Sequence, residues 1–131
     1  MKIRFFLASL LLASTLPSGL SATITSTWLA AADGNWNDGT KWDTNPTFPN
    51  NALPTTYDAI LSAAGPAYTV TLNTNITVED LLMSSANATL SHTSGIFSAT
   101  GAITLNAGKY SLAGGTISNT TVNQAGGALE I

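Results

Sequence analysis

The sequence predicts an all-β fold: a right-handed parallel β-helix entered through an irregular, tryptophan-rich cap. A degenerate repeat runs through the C-terminal half, where Asn87-Ala88 returns as Asn106-Ala107 and, with Gly for Asn, as Gly127-Ala128. Gly95-Ile96-Phe97-Ser98 is answered by Gly115-Thr116-Ile117-Ser118 at the same interval of about twenty residues, the length of one solenoid coil. Short apolar–polar alternations with turn residues between them fill the rest. Such spacing also fits an antiparallel β-sandwich, which stays as the alternative. A sandwich gives no reason for marks to recur at one coil length, whereas stacked rungs set equivalent residues above one another.

Residues 1–22 read as a secretory signal peptide. Lys2 and Arg4 precede the apolar run Phe5 to Leu16, which is shorter than the ~20 residues a spanning helix requires. Pro17, Ser18 and Gly19 break the run, and cleavage after Ser21 or Ala22 leaves a small residue at the cut. The expected location is therefore secreted or cell-surface, with no span in the mature chain.

Residues 23–66 form the cap module. All three tryptophans, Trp28, Trp36 and Trp42, fall here, among the turn signals Asp33-Gly34 and Asp38-Gly39. Pro46, Pro49 and Pro54 oppose a continuous strand or helix, so the module is expected to be mostly loop. Residues 67–131 form the rungs. Tyr68-Thr69-Val70-Thr71-Leu72 alternates with period two, and Ile76-Thr77-Val78 repeats the pattern beyond a turn at Asn73-Thr74-Asn75. Further strand-like pieces follow at Ala88 to Leu90, Ile96 to Ser98, Ile103 to Leu105, Tyr110 to Leu112, Thr116 to Ser118, Thr121 to Asn123 and Leu129 to Ile131. Their spacing suggests three strands per coil, with Val, Ile, Leu, Phe and Tyr stacked in internal columns and Thr and Ser outside.

Beyond the leader, Lys41 and Lys109 stand against seven acidic residues, and there is neither Arg nor Cys. Without clustered basic residues there is no footprint for a phosphate backbone, so nucleic acid is not an expected partner. Without disulfides, backbone ladders and apolar stacking must hold the fold.

Five groups of residues invite a chemical role. Trp28, Trp36 and Trp42 could present a sugar-stacking platform; sealing the open end of the helix is the favoured role, because a buried indole contributes a large apolar area. Asp33, Asn35, Asn37 and Asp38 offer alternating oxygen ligands for a loose calcium site. They depart from the EF-hand loop, since Asp38 stands where Gly is required and Thr44 where the bidentate Glu belongs. No other cofactor is expected. Glu79-Asp80 is the only adjacent acidic pair, and in a strand its carboxylates would diverge. His92, the single histidine, is read as a surface or turn residue, because Ser91 to Gly95 resembles a corner. The sequons at Asn75, Asn87 and Asn119 are read as turn residues.

The leader, the stretch "GNWNDGTKWD" and the strand "YTVTL" together resemble the N-terminal region of secreted bacterial autotransporter-passenger and pectin-lyase-like β-helix repeat proteins. Gly34, Trp36 and Trp42 match a Gly-x-Trp cap, followed by rungs from Tyr68. The resemblance implies a surface-exposed or secreted scaffold, often adhesive, meeting surface glycans or other cell-surface proteins; it implies no catalysis. It also implies a longer protein, since such passengers carry many more rungs than are seen before Leu129 to Ile131. The expected function is thus a non-enzymatic scaffold or adhesin-like segment. A carbohydrate-binding or polysaccharide-degrading module is the alternative.

Overall fold

A computed structural model describes residues 20–131; most of the leader lies outside the described residues. Thirteen strands and one turn of 3-10 helix make up the regular structure of the described residues. The chain first forms β1 (Ala22–Thr27) and the two-residue β2 (Gly34–Asn35), then the helical turn Gly39–Lys41 and β3 (Thr55–Leu61). Three full coils follow: β4 (Tyr68–Leu72), β5 (Ile76–Val78) and β6 (Asp80–Met83); β7 (Ala88–His92), β8 (Ile96–Ala99) and β9 (Ala102–Leu105); β10 (Lys109–Leu112), β11 (Thr116–Ser118) and β12 (Thr121–Gln124). The last strand is β13 (Ala128–Glu130).

Every pairing between these strands is parallel. They stack into three sheets, in the orders β2-β4-β7-β10-β13, β5-β8-β11 and β1-β3-β6-β9-β12. Each coil contributes one strand to each sheet, which is the arrangement of a parallel β-solenoid of about four turns. The sandwich alternative, which requires antiparallel neighbours, is excluded.

Alternation within each strand sends every second side chain to the axis, and register aligns these into columns. Val70, Leu90, Tyr110 and Leu129 form one column, and Leu72, His92 and Leu112 its neighbour. Ile76, Phe97 and Ile117 line the second sheet. Ala59, Leu81, Ile103 and Val122 line the third, beside Leu61, Met83 and Leu105. These columns form one continuous apolar core.

The two repeat marks fare differently. Gly115-Thr116-Ile117-Ser118 stacks residue for residue on Gly95-Ile96-Phe97-Ser98, since Thr116 pairs with Ile96 and Ser118 with Ser98. The Asn-Ala mark is one residue out. Thr89 pairs with Lys109, so Ala88 lies over Gly108 rather than Ala107. The cause is uneven corner length: the link from β6 to β7 holds four residues, Ser84 to Asn87, and that from β9 to β10 only three, Asn106 to Gly108.

The 23–66 module contains more strand than expected. β1 and β3 pair along six residues, from Ala22 against Thr55 to Thr27 against Ile60. The prolines confine the loop to the stretch before β3, and Tyr57, Ala59 and Leu61 then alternate inward as in any other coil. Among the described residues no helix is long and apolar enough to cross a membrane.

Candidate functional site

The cap is built by two strands that run out of partners. Trp28 follows β1 and its backbone N–H donates to the carbonyl of Ile60, which sets it in register over Leu61. Trp36 follows β2 and donates to the carbonyl of Thr71, which sets it over Leu72. Trp42 ends the 3-10 turn and bridges back to Trp28. The turn exists because the Asp38 side chain accepts from the backbone N–H of Thr40, the usual N-cap service. At Gly39 a Cβ would overlap the carbonyl of Pro46, so the 3-10 turn can pack against that carbonyl only with glycine there.

All three indoles are buried, with 1% exposure for Trp28 and none for Trp36 and Trp42. Their N–H groups donate to the carbonyls of Ala32 (3.3 Å), Pro49 (2.9 Å) and Trp36 (2.8 Å), respectively. Each indole is therefore satisfied internally, and none offers a face on which a pyranose could stack. The arrangement fits an end seal. From this cap an unbroken series of edge-to-face contacts descends the axis: Trp28 to Trp42 (5.1 Å between centroids), Trp42 to Trp36 (4.9 Å), Trp36 to Phe97 (5.5 Å), Phe97 to Tyr110 (6.2 Å) and Tyr110 to His92 (6.0 Å). Such pairs add about 0.5–1.5 kcal/mol each beyond their buried area.

Two of the four candidate calcium ligands, Asp33 and Asp38, serve the backbone. Asp33 Oδ1 accepts from the N–H of Thr69 at 2.7 Å, fastening the start of β4. Asp38 Oδ1 acts locally, accepting from the Thr40 N–H at 3.0 Å and from its hydroxyl. Those two donors hold the Asp38 carboxyl below its usual range. Asn35 and Asn37 are exposed. Asp33 thus reaches a strand some thirty-six residues on, while Asp38 serves the turn two residues away, and each already has a donor on Oδ1.

The same device recurs down the solenoid. Asn50 accepts from the N–H of Thr77 (2.9 Å), Asn75 from that of Ile96 (2.9 Å) and Asp80 from that of Ala102 (2.7 Å). In each case an Asx oxygen satisfies a backbone donor in the first two residues of a strand in another coil. From sequence, Asn75 reads only as a turn former, Asp80 as half of a diverging acidic pair, and Asn50 carries no signal. The missing signal was their distance, about one coil, from a strand start.

Asp80 pairs in register with Asp58, so two carboxylates share one outer column. Partial burial, and then the Asp80 charge, push the Asp58 carboxyl above its usual range, and one of its oxygens is buried without a hydrogen-bond partner. Glu79 precedes β6 and donates its N–H to the carbonyl of Tyr57. The expected sequon residues lie in corners: Asn87 donates its side-chain N–H to the carbonyl of Gly65, and Asn119 adopts φ +49°.

His92 departs from expectation. It is the last residue of β7, not part of the corner, and it points inward with no exposed surface. Its Nδ1 lies 2.9 Å from the Tyr110 hydroxyl and its Nε2 3.1 Å from the Gly95 carbonyl. Burial lowers its pKa. The reading of a surface or turn histidine failed because the corner begins one residue later, at Thr93.

Outside, the sheet that contains β4, β7 and β10 presents Thr69, Thr71, Thr89, Ser91 and Ser111 in two rows, ending at the Lys109–Glu130 ion pair (3.3 Å). These features define the class: a parallel β-solenoid with an aromatic end seal. No protein-family model, curated protein or solved structure matches this chain.

Proposed function

We propose that this chain is a non-enzymatic β-solenoid scaffold, an adhesin-like segment of a secreted or cell-surface protein of the autotransporter-passenger kind. The observation that carries the reading is the employment of its polar chemistry. Asp33, Asp38, Asn50, Asn75 and Asp80 each fasten a backbone donor, and the indoles that could have met a sugar are buried within the cap. A molecule so arranged maintains shape and leaves flat rows of Thr and Ser for contact with surface glycans or another cell-surface protein.

Two measurements test this. Expressed with its leader in a bacterial host, the chain should be reached by antibody on intact cells or recovered from the medium; retention in the cytoplasm with the leader attached would refute the location. Incubated with acidic and neutral polysaccharides, the purified protein should yield no new reducing ends and no unsaturated uronate. Any turnover would refute the scaffold reading in favour of a polysaccharide-degrading module.

A further inference from the structure

Two polar residues interrupt the apolar columns next to one another. His92 stands between Leu72 and Leu112, and Tyr110 between Leu90 and Leu129, each where its neighbours along the column are leucine. Neither has exposed surface. The two come from successive coils, and they are bonded to each other.

The bonding pattern fixes the proton. The Gly95 carbonyl can only accept, so His92 Nε2 carries the hydrogen that donates to it, and Nδ1 is left as a lone pair. The Tyr110 hydroxyl donates to that lone pair. The Gly95 carbonyl also accepts the N–H of Thr116 in the third coil, and the His92 carbonyl accepts from Ala113 and Gly114. Gly115 lies flat against the ring, where any Cβ would overlap the imidazole. His92 thus adds a side-chain grip between the second and third coils to the ladders that join them.

We propose that the His92–Tyr110 pair is an acid-sensitive latch between the second and third coils, closed while the imidazole is neutral and loosened when it takes a proton. A proton on Nδ1 would face the hydroxyl hydrogen. Tyr110 would have to rotate that hydrogen away, towards a core that supplies no acceptor for it among the hydrogen bonds of the described residues. Among the described residues the new cation would also find no anion. Leu72 from β4, Phe97 from β8, Leu112 from β10 and the Ala113 to Gly115 corner are uncharged, and of the described titratable groups it is Tyr110 that is turned towards the ring. Lys109 points outward to Glu130. Burial accordingly lowers the His92 pKa from its ordinary 6.5. The unfolded chain then binds the proton more readily than the folded one, so stability is whole above about pH 6.5 and falls as pH drops below it.

The test compares urea unfolding of the full chain and of His92→Leu at pH 7.5 and pH 5.0. Carboxylates contribute equally to both proteins, so the difference isolates the imidazole. A ring that stays neutral throughout lowers the wild-type folding constant by up to about thirty-fold more than that of the variant. At pH 5.0 the amides of β10 and β11 should also lose exchange protection ahead of those of β4 and β5. Equal acid losses in the two proteins would overturn the proposal. Should His92→Leu fail to fold, the imidazole Cε1 resonance of the wild type decides: a ring that titrates near pH 6.5 in an otherwise unchanged fold overturns it, and one that stays neutral until the third coil loosens supports it.

Discussion

Replacing Trp42 by alanine tests whether the cap is structural. The indole has no exposed surface, contacts both Trp28 and Trp36 edge-on, and donates a 2.8 Å hydrogen bond to the Trp36 carbonyl. Truncating a buried tryptophan to alanine costs about 3–5 kcal/mol. The upper part of that range applies here, because the deletion also strips the Trp36 carbonyl of its donor, worth about 1 kcal/mol. A domain of this size is stable by only about 5–15 kcal/mol. Trp42→Ala therefore removes a third or more of the total, and the melting temperature falls by on the order of 20 °C. Urea denaturation followed by far-UV circular dichroism gives the free energy directly, and Trp42→Phe, which keeps a ring in place, should lose about half as much. The reasoning fails if Trp42→Ala lies within about 1 kcal/mol of wild type, or if iodide strongly quenches the wild-type tryptophan emission.

Two further outcomes follow from the polar contacts. Because the folded chain holds a proton on Asp58 more readily than the unfolded chain does, stability falls as pH rises through the carboxylate range, and neutral pH carries the full penalty. Asp58→Asn should stabilise the protein by roughly 0.5 kcal/mol at pH 7, a figure reduced for solvent screening, and the gain should vanish below about pH 4 in a series of thermal melts. Asn75→Ala removes the acceptor for the Ile96 N–H and should cost about 1 kcal/mol; unchanged urea midpoints would show that water replaces the carboxamide.

The architecture was legible where sequence pattern and register coincide. The period-two alternation of Tyr68 to Leu72 and the Gly-x-x-Ser mark both report inward-facing columns, and both lie in strands that stack without offset. β6 was invisible for a physical reason. Its outward positions hold Asp80 and Leu82 beside inward Leu81 and Met83, so three apolar residues run together and the alternation disappears. β3 was hidden by the preceding prolines and by an outward Ile60. His92 could have been placed by counting one coil from Leu72, but its neighbours Ser91, Thr93, Ser94 and Gly95 carry the composition of a turn. The long-range Asx contacts lay beyond local pattern, since each joins residues some twenty or more positions apart.

The corners of the solenoid differ in how much length they tolerate. Between β4 and β5, β7 and β8, and β10 and β11 the chain always uses three residues, whereas the links from the second sheet to the third vary from one to two and those from the third sheet to the first from three to six. The strands behave as rulers and two of the three edges as expansion joints. Drift in coil length is taken up at those joints while the columns stay aligned, so a gain or loss of one residue there leaves every side chain on its own face. The constant three-residue edge has no such slack, and it is beside one of these edges, at Thr93 to Gly95, that the buried histidine sits.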